Sequence, residues 1–255
     1  MTDIAIHKPG ANPWKSILTY GPTGAGKTRF GISAESQLGG RTLVIATESS
    51  EAQPDPSTVG FDVDITYVHN MSEFKAVLKF LKANPGKYSV GVLDSLSQLQ
   101  KFGNAEDAER EFARGNTRTP LNIPLDAYKR VGEDIRRSMW EARTLQMHWV
   151  FVCLDRVFVS EDNTVRMVGP NLTETLSADV RAYCDIVGYM TAEMLEVALK
   201  DGTKEQRLVR RMFLQPGHDF YARVRAGKDV AVPEFIVSPT LPKLLDILRV
   251  QGEKK

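Results

Sequence analysis

The chain has 255 residues, 42% apolar and 25% charged, with 33 Lys and Arg against 32 Asp and Glu for a formal net charge of +1. That length fits one domain, or one domain with a small appendage, and the near balance of charge excludes a polybasic or polyacidic chain as a whole. The two cysteines, Cys153 and Cys184, sit in apolar runs and read as buried thiols of a reducing compartment rather than a disulfide framework. His7, His69, His148 and His218 show no metal-ligand spacing, and no apolar leader or bilayer-length run occurs. A soluble, cytoplasmic chain without a membrane partner is expected.

In chain order, residues 1–13 carry Pro9, Gly10 and Pro13 and read as a flexible arm before a single domain over 14–255. Ile17–Tyr20 is a short apolar strand, Gly21–Thr28 a glycine-rich loop, and Thr28–Gln37 a helix. Arg41–Thr47 reads as a buried strand ending at Glu48, followed by a loop over Ser49–Phe61 with Pro54, Pro56 and Gly60. Ile65–Val68 is a further strand. Ser72 is the expected N-cap of a helix whose Phe74, Val77, Leu78 and Leu81 recur at helical spacing to Asn84, and Pro85-Gly86 stops it.

Tyr88–Ser95 is the next strand, with Asp94 at its carboxyl end. Gln98–Asn122 is polar, contains Gly103, Gly115 and Pro120, and is expected to be a long functional loop. An amphipathic helix follows through Leu125, Tyr128, Val131, Ile135, Met139, Ala142 and Leu145. Trp149–Leu154 is a buried strand ending at Asp155-Arg156, Val157–Asp179 is expected to be irregular, and Ile186–Met190 is a strand. Leu195–Leu199 and Arg207–Leu214 flank Asp201-Gly202 and predict a β-hairpin, so that residues 192–235 form a hairpin and basic extension. A last helix is expected over Leu241–Val250.

Buried strands alternating with amphipathic helices predict an α/β fold, a mostly parallel sheet with helices on both faces and a C-terminal β-hairpin. Such sheets bind ligands beyond the carboxyl ends of their strands. Gly21, Glu48, Asp94 and Asp155-Arg156 all fall at such ends.

Gly21, Pro22, Thr23, Gly24, Ala25, Gly26, Lys27 and Thr28 spell G-x-x-x-x-G-K-T, a P-loop, with Arg29 next to it. Glycines let backbone N–H groups face a polyphosphate, Lys27 reaches toward β- and γ-phosphates, and the Thr28 hydroxyl suits Mg²⁺. Asp94 occupies the place of the acid that holds Mg²⁺ in nucleotide triphosphatases. Ser95 follows it where many motors carry a water-activating Glu, which makes Glu48 the candidate base, or else a helix-start acid with no catalytic role. Asp155 and Arg156 are either a sensor of the γ-phosphate or a surface ion pair. Arg223 and Arg225 lie two apart on one strand face; a cation reaching another subunit's γ-phosphate, a nucleic-acid contact and plain solvation all fit them. From Lys200 to Lys228, eight basic residues face three acidic ones, fitting either a polyanion or an ordinary solvated hairpin.

Taken together, Gly-Pro-Thr-Gly-Ala-Gly-Lys-Thr at 21–28, Ala-Thr-Glu at 46–48 and Val-Leu-Asp-Ser at 92–95 resemble the ATPase core of the RecA and Rad51 recombinase superfamily. The resemblance spans roughly 14–250 and is closest to compact phage nucleotide-binding proteins, some of which act as single-strand annealing recombinases. Cys-Asp-Ile-Val-Gly-Tyr at 184–189 and Ala-Arg-Val-Arg at 222–225 are similar to that group. The Asn-Gln that larger recombinases carry at the end of the fourth strand is replaced here by Asp155-Arg156.

The resemblance implies a DNA-stimulated ATPase using ATP and Mg²⁺, acting on single-stranded DNA by annealing or strand pairing. It also implies a ring or filament of subunits, a single-strand DNA-binding protein as a further partner, and the host cytoplasm if the chain is phage-encoded. Adenine is favoured by this resemblance and by the missing Asn-Lys-x-Asp of GTPases. Arg110, Arg114, Arg118 and Arg166 are the expected DNA contacts, with Phe102 and Phe112 for base stacking. Two alternatives remain: a hexameric helicase-like or loader motor, and a nucleotide-gated protein-binding module with little hydrolysis.

Overall fold

The computed structural model describes residues 13–33, 41–48, 63–116, 119, 123–160, 166–198, 204–228 and 230–249. Residues 1–12 of the expected arm over 1–13, the loop over 49–61 and the end of the first helix therefore lie outside the described residues.

The described strands are β1 (Ser16–Gly21), β2 (Arg41–Ala46), β3 (Asp64–Tyr67), β4 (Tyr88–Asp94), β5 (His148–Val159), β6 (Arg166–Pro170), β7 (Ile186–Ala198), β8 (Lys204–Phe213), β9 (Arg223–Val224) and β10 (Phe235–Val237). The helices are α1 (Lys27–Ile32), α2 (Met71–Ala83), α3 (Leu96–Ala113), α4 (Leu125–Thr144), α5 (Glu174–Tyr183) and α6 (Leu241–Arg249). Strands run in the order β10-β8-β7-β1-β5-β4-β2-β3. From β7 to β3 every neighbouring pair is parallel, whereas β8 and β10 are antiparallel additions at one edge. This is the α/β architecture of a P-loop NTPase, with β5 inserted between the loop strand β1 and the Asp94 strand β4.

Both faces of the sheet are covered, and that is why its strands read as continuous apolar runs. In β5, Trp149, Phe151 and Cys153 face a core built with Phe74 and Leu78 of α2, Leu99 of α3, Ile135 and Met139 of α4 and Val180 of α5. Val150 and Val152 face the other side, where Phe30 of α1 and Leu241 and Leu244 of α6 pack. Cys153 and Cys184 are buried free thiols, and burial pushes Cys153 up to about 12.

Several expectations need correction. Gln98–Asn122 is not an irregular loop, because α3 occupies Leu96–Ala113. Ser95 caps this helix, its hydroxyl accepting from Gln98 N at 3.2 Å. Leu96, Leu99, Gly103 and Ala108 line its buried side. A Cβ on Gly103 would lie 2.7 Å from Val131 Cγ1, so the glycine brings α3 close to α4 rather than breaking it. Buried Asp107 is matched across that seam by Arg130, whose Nη2 donates to its carboxylate at 2.6 Å. The charges that make the segment look like a loop are therefore partly internal to the helix pair.

The described parts of Val157–Asp179 are likewise regular. β5 continues to Val159, β6 returns antiparallel to it, and α5 starts at Glu174. The N-cap of α2 is Asn70, whose side chain accepts from Glu73 N at 2.8 Å, not Ser72. The predicted hairpin is longer than its pattern: β7 and β8 pair from Tyr189↔Phe213 to Ala198↔Lys204, and its turn lies outside the described residues. The hairpin grows directly out of the central sheet, since the first part of β7 pairs with β1.

Candidate functional site

The loop leaves β1 at its carboxyl end and enters α1 through Gly26. Gly24 and Gly26 hold φ of 83° and 92°, the left-handed region that favours glycine. Successive N–H groups can then face one anion, which β-branched or bulky residues would prevent.

Lys27 is buried, and its Nζ donates to Gly21 O at 2.7 Å and Pro22 O at 2.8 Å. Burial lowers its pKa, opposed by the charges of Asp94, Asp155, Cys153 and Glu48. Thr28 Oγ1 donates to Asp94 Oδ2. Asp94 is itself buried; burial raises its pKa, Glu48 adds to the rise, and Thr28 and Lys27 act against it. One hydroxyl and one carboxylate, side by side next to a phosphate loop, fit Mg²⁺, which takes few protein oxygens and completes its shell with phosphate and water. No cluster of three or more His, Cys, Asp or Glu that could hold a metal by itself occurs among the described residues.

Glu48 is exposed and follows Thr47 at the end of β2. Its neighbour fixes it to the Asp94 segment: Thr47 N donates to Asp94 O at 2.8 Å, and Ser95 N donates to Thr47 Oγ1 at 2.8 Å. The Asp94–Ser95 peptide is cis. Glu48 thus lies within electrostatic reach of both Asp94 and Lys27. Asp155 stands one residue past Leu154, which pairs with Gly21, and its charge reaches Lys27. Arg156 is exposed and turned to Phe158, 5.3 Å from the ring centroid.

The structure therefore gathers Lys27, Thr28, Asp94, Glu48 and Asp155 at one edge of the sheet. It does not bring Arg223 and Arg225 there. β9 pairs with Ile186 and Val187 at the start of β7, the opposite edge. Arg223 Nη2 donates to Arg181 O at 2.7 Å and Cys184 O at 3.1 Å, and Arg225 Nη2 donates to Ala182 O at 2.5 Å, so both cap the end of α5.

Arg110 sits late in α3 and Arg114 caps its end, paired with Glu106 at 3.5 Å and Glu111 at 3.0 Å respectively. At about 1.5 Å per residue, Arg110 is some 20 Å along the helix from Ser95. Arg166 is exposed at the start of β6, and Arg118 lies outside the described residues. Phe102 and Phe112 are on α3 rather than on a loop.

Three residues at this edge escape the sequence reading. Thr47 is one, as the link between Glu48 and Ser95. Ser97 is another: its Oγ accepts from Leu154 N at 3.2 Å and joins the start of α3 to β5. The third is Arg210 of β8, which leans on Gly26. Arg210 is one of the eight basic residues between Lys200 and Lys228, and the alternation of β8 sets its face; Thr47 and Ser97 carry no signal, since their partners are distant in sequence.

A family model described as an AAA domain matches residues 14–226, most of the chain and all of the elements that form this edge. No curated protein matches the chain. With this match laid over a phosphate loop, its lysine and a buried aspartate at the carboxyl edge of a parallel sheet, the chain belongs to the AAA-domain family of P-loop nucleotide-binding ATPases.

Proposed function

We propose that this chain hydrolyses ATP with Mg²⁺ and couples that cycle to single-stranded DNA. The observation that carries the hydrolytic part is the convergence of Lys27, Thr28, Asp94 and Glu48 on one loop mouth. Lys27 and the loop N–H groups hold the β- and γ-phosphates and offset charge as it moves outward. Thr28 and Asp94 would hold the metal. Mg²⁺ bound there would supply charge neutralisation to the polyphosphate. Glu48, exposed and next to that site, orients and deprotonates the attacking water.

The DNA-directed part rests on the resemblance to annealing recombinases and on the cationic residues of the chain. Assembly into a ring or filament belongs to the same reading; Arg223 and Arg225 enter it only through another copy's loop. Arg110, Arg114 and Arg166 are its candidate DNA contacts, and a single-strand DNA-binding protein is a candidate partner.

The test is ATP turnover with and without single-stranded DNA, with particle size measured in parallel. Stimulation by DNA that weakens steeply as salt rises is expected. Turnover without any DNA response would leave an ATPase and remove the recombination reading. ATP binding without turnover would favour the nucleotide-gated module, and duplex unwinding would favour the helicase-like motor.

A further inference from the structure

β8 carries a cation that the site above does not use. Along this strand Met212 is buried against Met190 on the face covered by α1 and α6. Side chains alternate, so Arg210 lies on the same face, two residues nearer the loop. The residue paired with it across the hairpin is Ala192, which leaves it room. A Cβ on Gly26 would lie 2.8 Å from Arg210 Cδ and 3.0 Å from its Nε. The arginine stem thus rests directly on the last glycine of the phosphate loop.

Its charge is not answered. Among the described residues Arg210 Nε is buried without a hydrogen-bond partner, and no carboxylate pairs with the guanidinium. Neighbouring Arg211 also has a buried Nε without a partner, but it lies on the other face, where its Nη1 pairs with Glu193 at 3.6 Å and its guanidinium lies over the Phe235 ring. A shielded donor without a partner costs free energy, and an anion at the loop removes that cost.

Position selects which part of the ligand it meets. Asp94 stands two strands from β1 on one side, and Arg210 stands two strands from β1 on the other. With strands about 4.8 Å apart, the backbones of the two residues stand about 10 Å to either side of β1, and their side chains reach in to the loop. The metal and the terminal phosphate belong to the Asp94 side. The nucleoside end of the same molecule is left for the β7–β8 side.

We propose that Arg210 is a nucleotide-binding residue that donates to the α-phosphate, holding the ligand from the side opposite Asp94. A planar guanidinium suits two phosphate oxygens at once. The proposal rests on the ATP-binding reading of the loop and adds a residue to it.

The experiment is equilibrium binding of ATP, ADP and inorganic tripolyphosphate to the full chain, as wild type, Arg210→Met and Arg210→Lys. Methionine keeps the apolar stem against Gly26 and removes the charge; circular dichroism checks that each variant is folded. Arg210→Met is expected to weaken all three ligands by one common factor of about 10- to 100-fold, the range of a charge-assisted hydrogen bond. Arg210→Lys is expected to recover part of that loss, and serves alone if the methionine variant does not fold. Unchanged affinity in either variant overturns the proposal. So does a loss confined to ATP, which would mean a γ-phosphate contact, or one that spares tripolyphosphate, which would mean a contact to base or ribose. Wild type that binds no nucleotide brings down the loop reading itself, whereas wild-type binding with intact binding in Arg210→Met brings down Arg210 alone.

Discussion

The two edges of the sheet both hold polar groups out of water, and they handle them in opposite ways. At the amino edge, Asp185 accepts from Ser16 N at 2.9 Å and Ser16 Oγ at 2.7 Å, with Arg143 at 3.5 Å and Arg225 at 3.9 Å. At the carboxyl edge, Asp94 has the Thr28 hydroxyl as its hydrogen-bond partner, and burial raises its pKa while lowering that of Lys27. A satisfied network holds strands together; an unsatisfied one is poised for a ligand that completes it. The same opposition recurs at the two ends of the β4–α3 segment. Asp107, hydrogen-bonded by Arg130, has its carboxyl below the usual range, whereas burial puts Asp94 above it.

If the edges divide this way, mutations should separate activity from stability. Glu48→Gln should lower ATP turnover by about 10²- to 10⁴-fold, the range of general base catalysis. Its melting temperature should stay at the wild-type value, because Glu48 is exposed. An unchanged rate would move the base to another residue.

Asp185→Ala should do the reverse. Loss of about 2–3 kcal/mol in urea unfolding is expected, as the Ser16 donors and two arginines lose their acceptor. Turnover per folded molecule should hold; a fall in it would erase the contrast between the edges.

Asp107→Asn should cost about 1–2 kcal/mol at pH 7, a moderate value because Arg130 is half exposed. The sign follows from the lowered carboxyl. Its stabilisation is present above the ordinary carboxylate pKa and disappears as pH falls through the lowered one. Unfolding curves of mutant and wild type should therefore converge in acid.

Asp94→Asn carries the smallest effect and the opposite sign. Burial disfavours its ionised form, so without nucleotide the variant should gain about 1 kcal/mol at pH 7. That gain should shrink as pH falls through the raised pKa, where wild-type Asp94 takes up a proton. Stabilisation by ATP with Mg²⁺ should be lost in this variant. A destabilised Asp94→Asn would place the carboxylate among the structural residues instead.

The sequence alone was legible wherever chemistry is local. A phosphate loop needs glycine at positive φ and a lysine at a fixed offset, so Gly21 to Thr28 is readable without a fold. Asp94 and Glu48 are readable as acids closing apolar strands, because a parallel sheet puts its ligands at those ends. The buried strands are readable because covered sheets exclude polar residues. What remained hidden depends on partners far along the chain. The segment over α3 reads as a loop because it is polar and carries Gly103. Packing of Gly103 on Val131 and pairing of Asp107 with Arg130 make it a helix. Arg223 and Arg225 stand two apart and read as one strand face, yet only the pairing of β9 with the start of β7 decides which edge they serve. The approach of Arg210 to Gly26, 184 positions apart by their numbering, is set by the sheet order β8-β7-β1 and by nothing local. Local geometry wrote the phosphate loop into the sequence; strand order, a property of the whole sheet, decided which charges stand beside it.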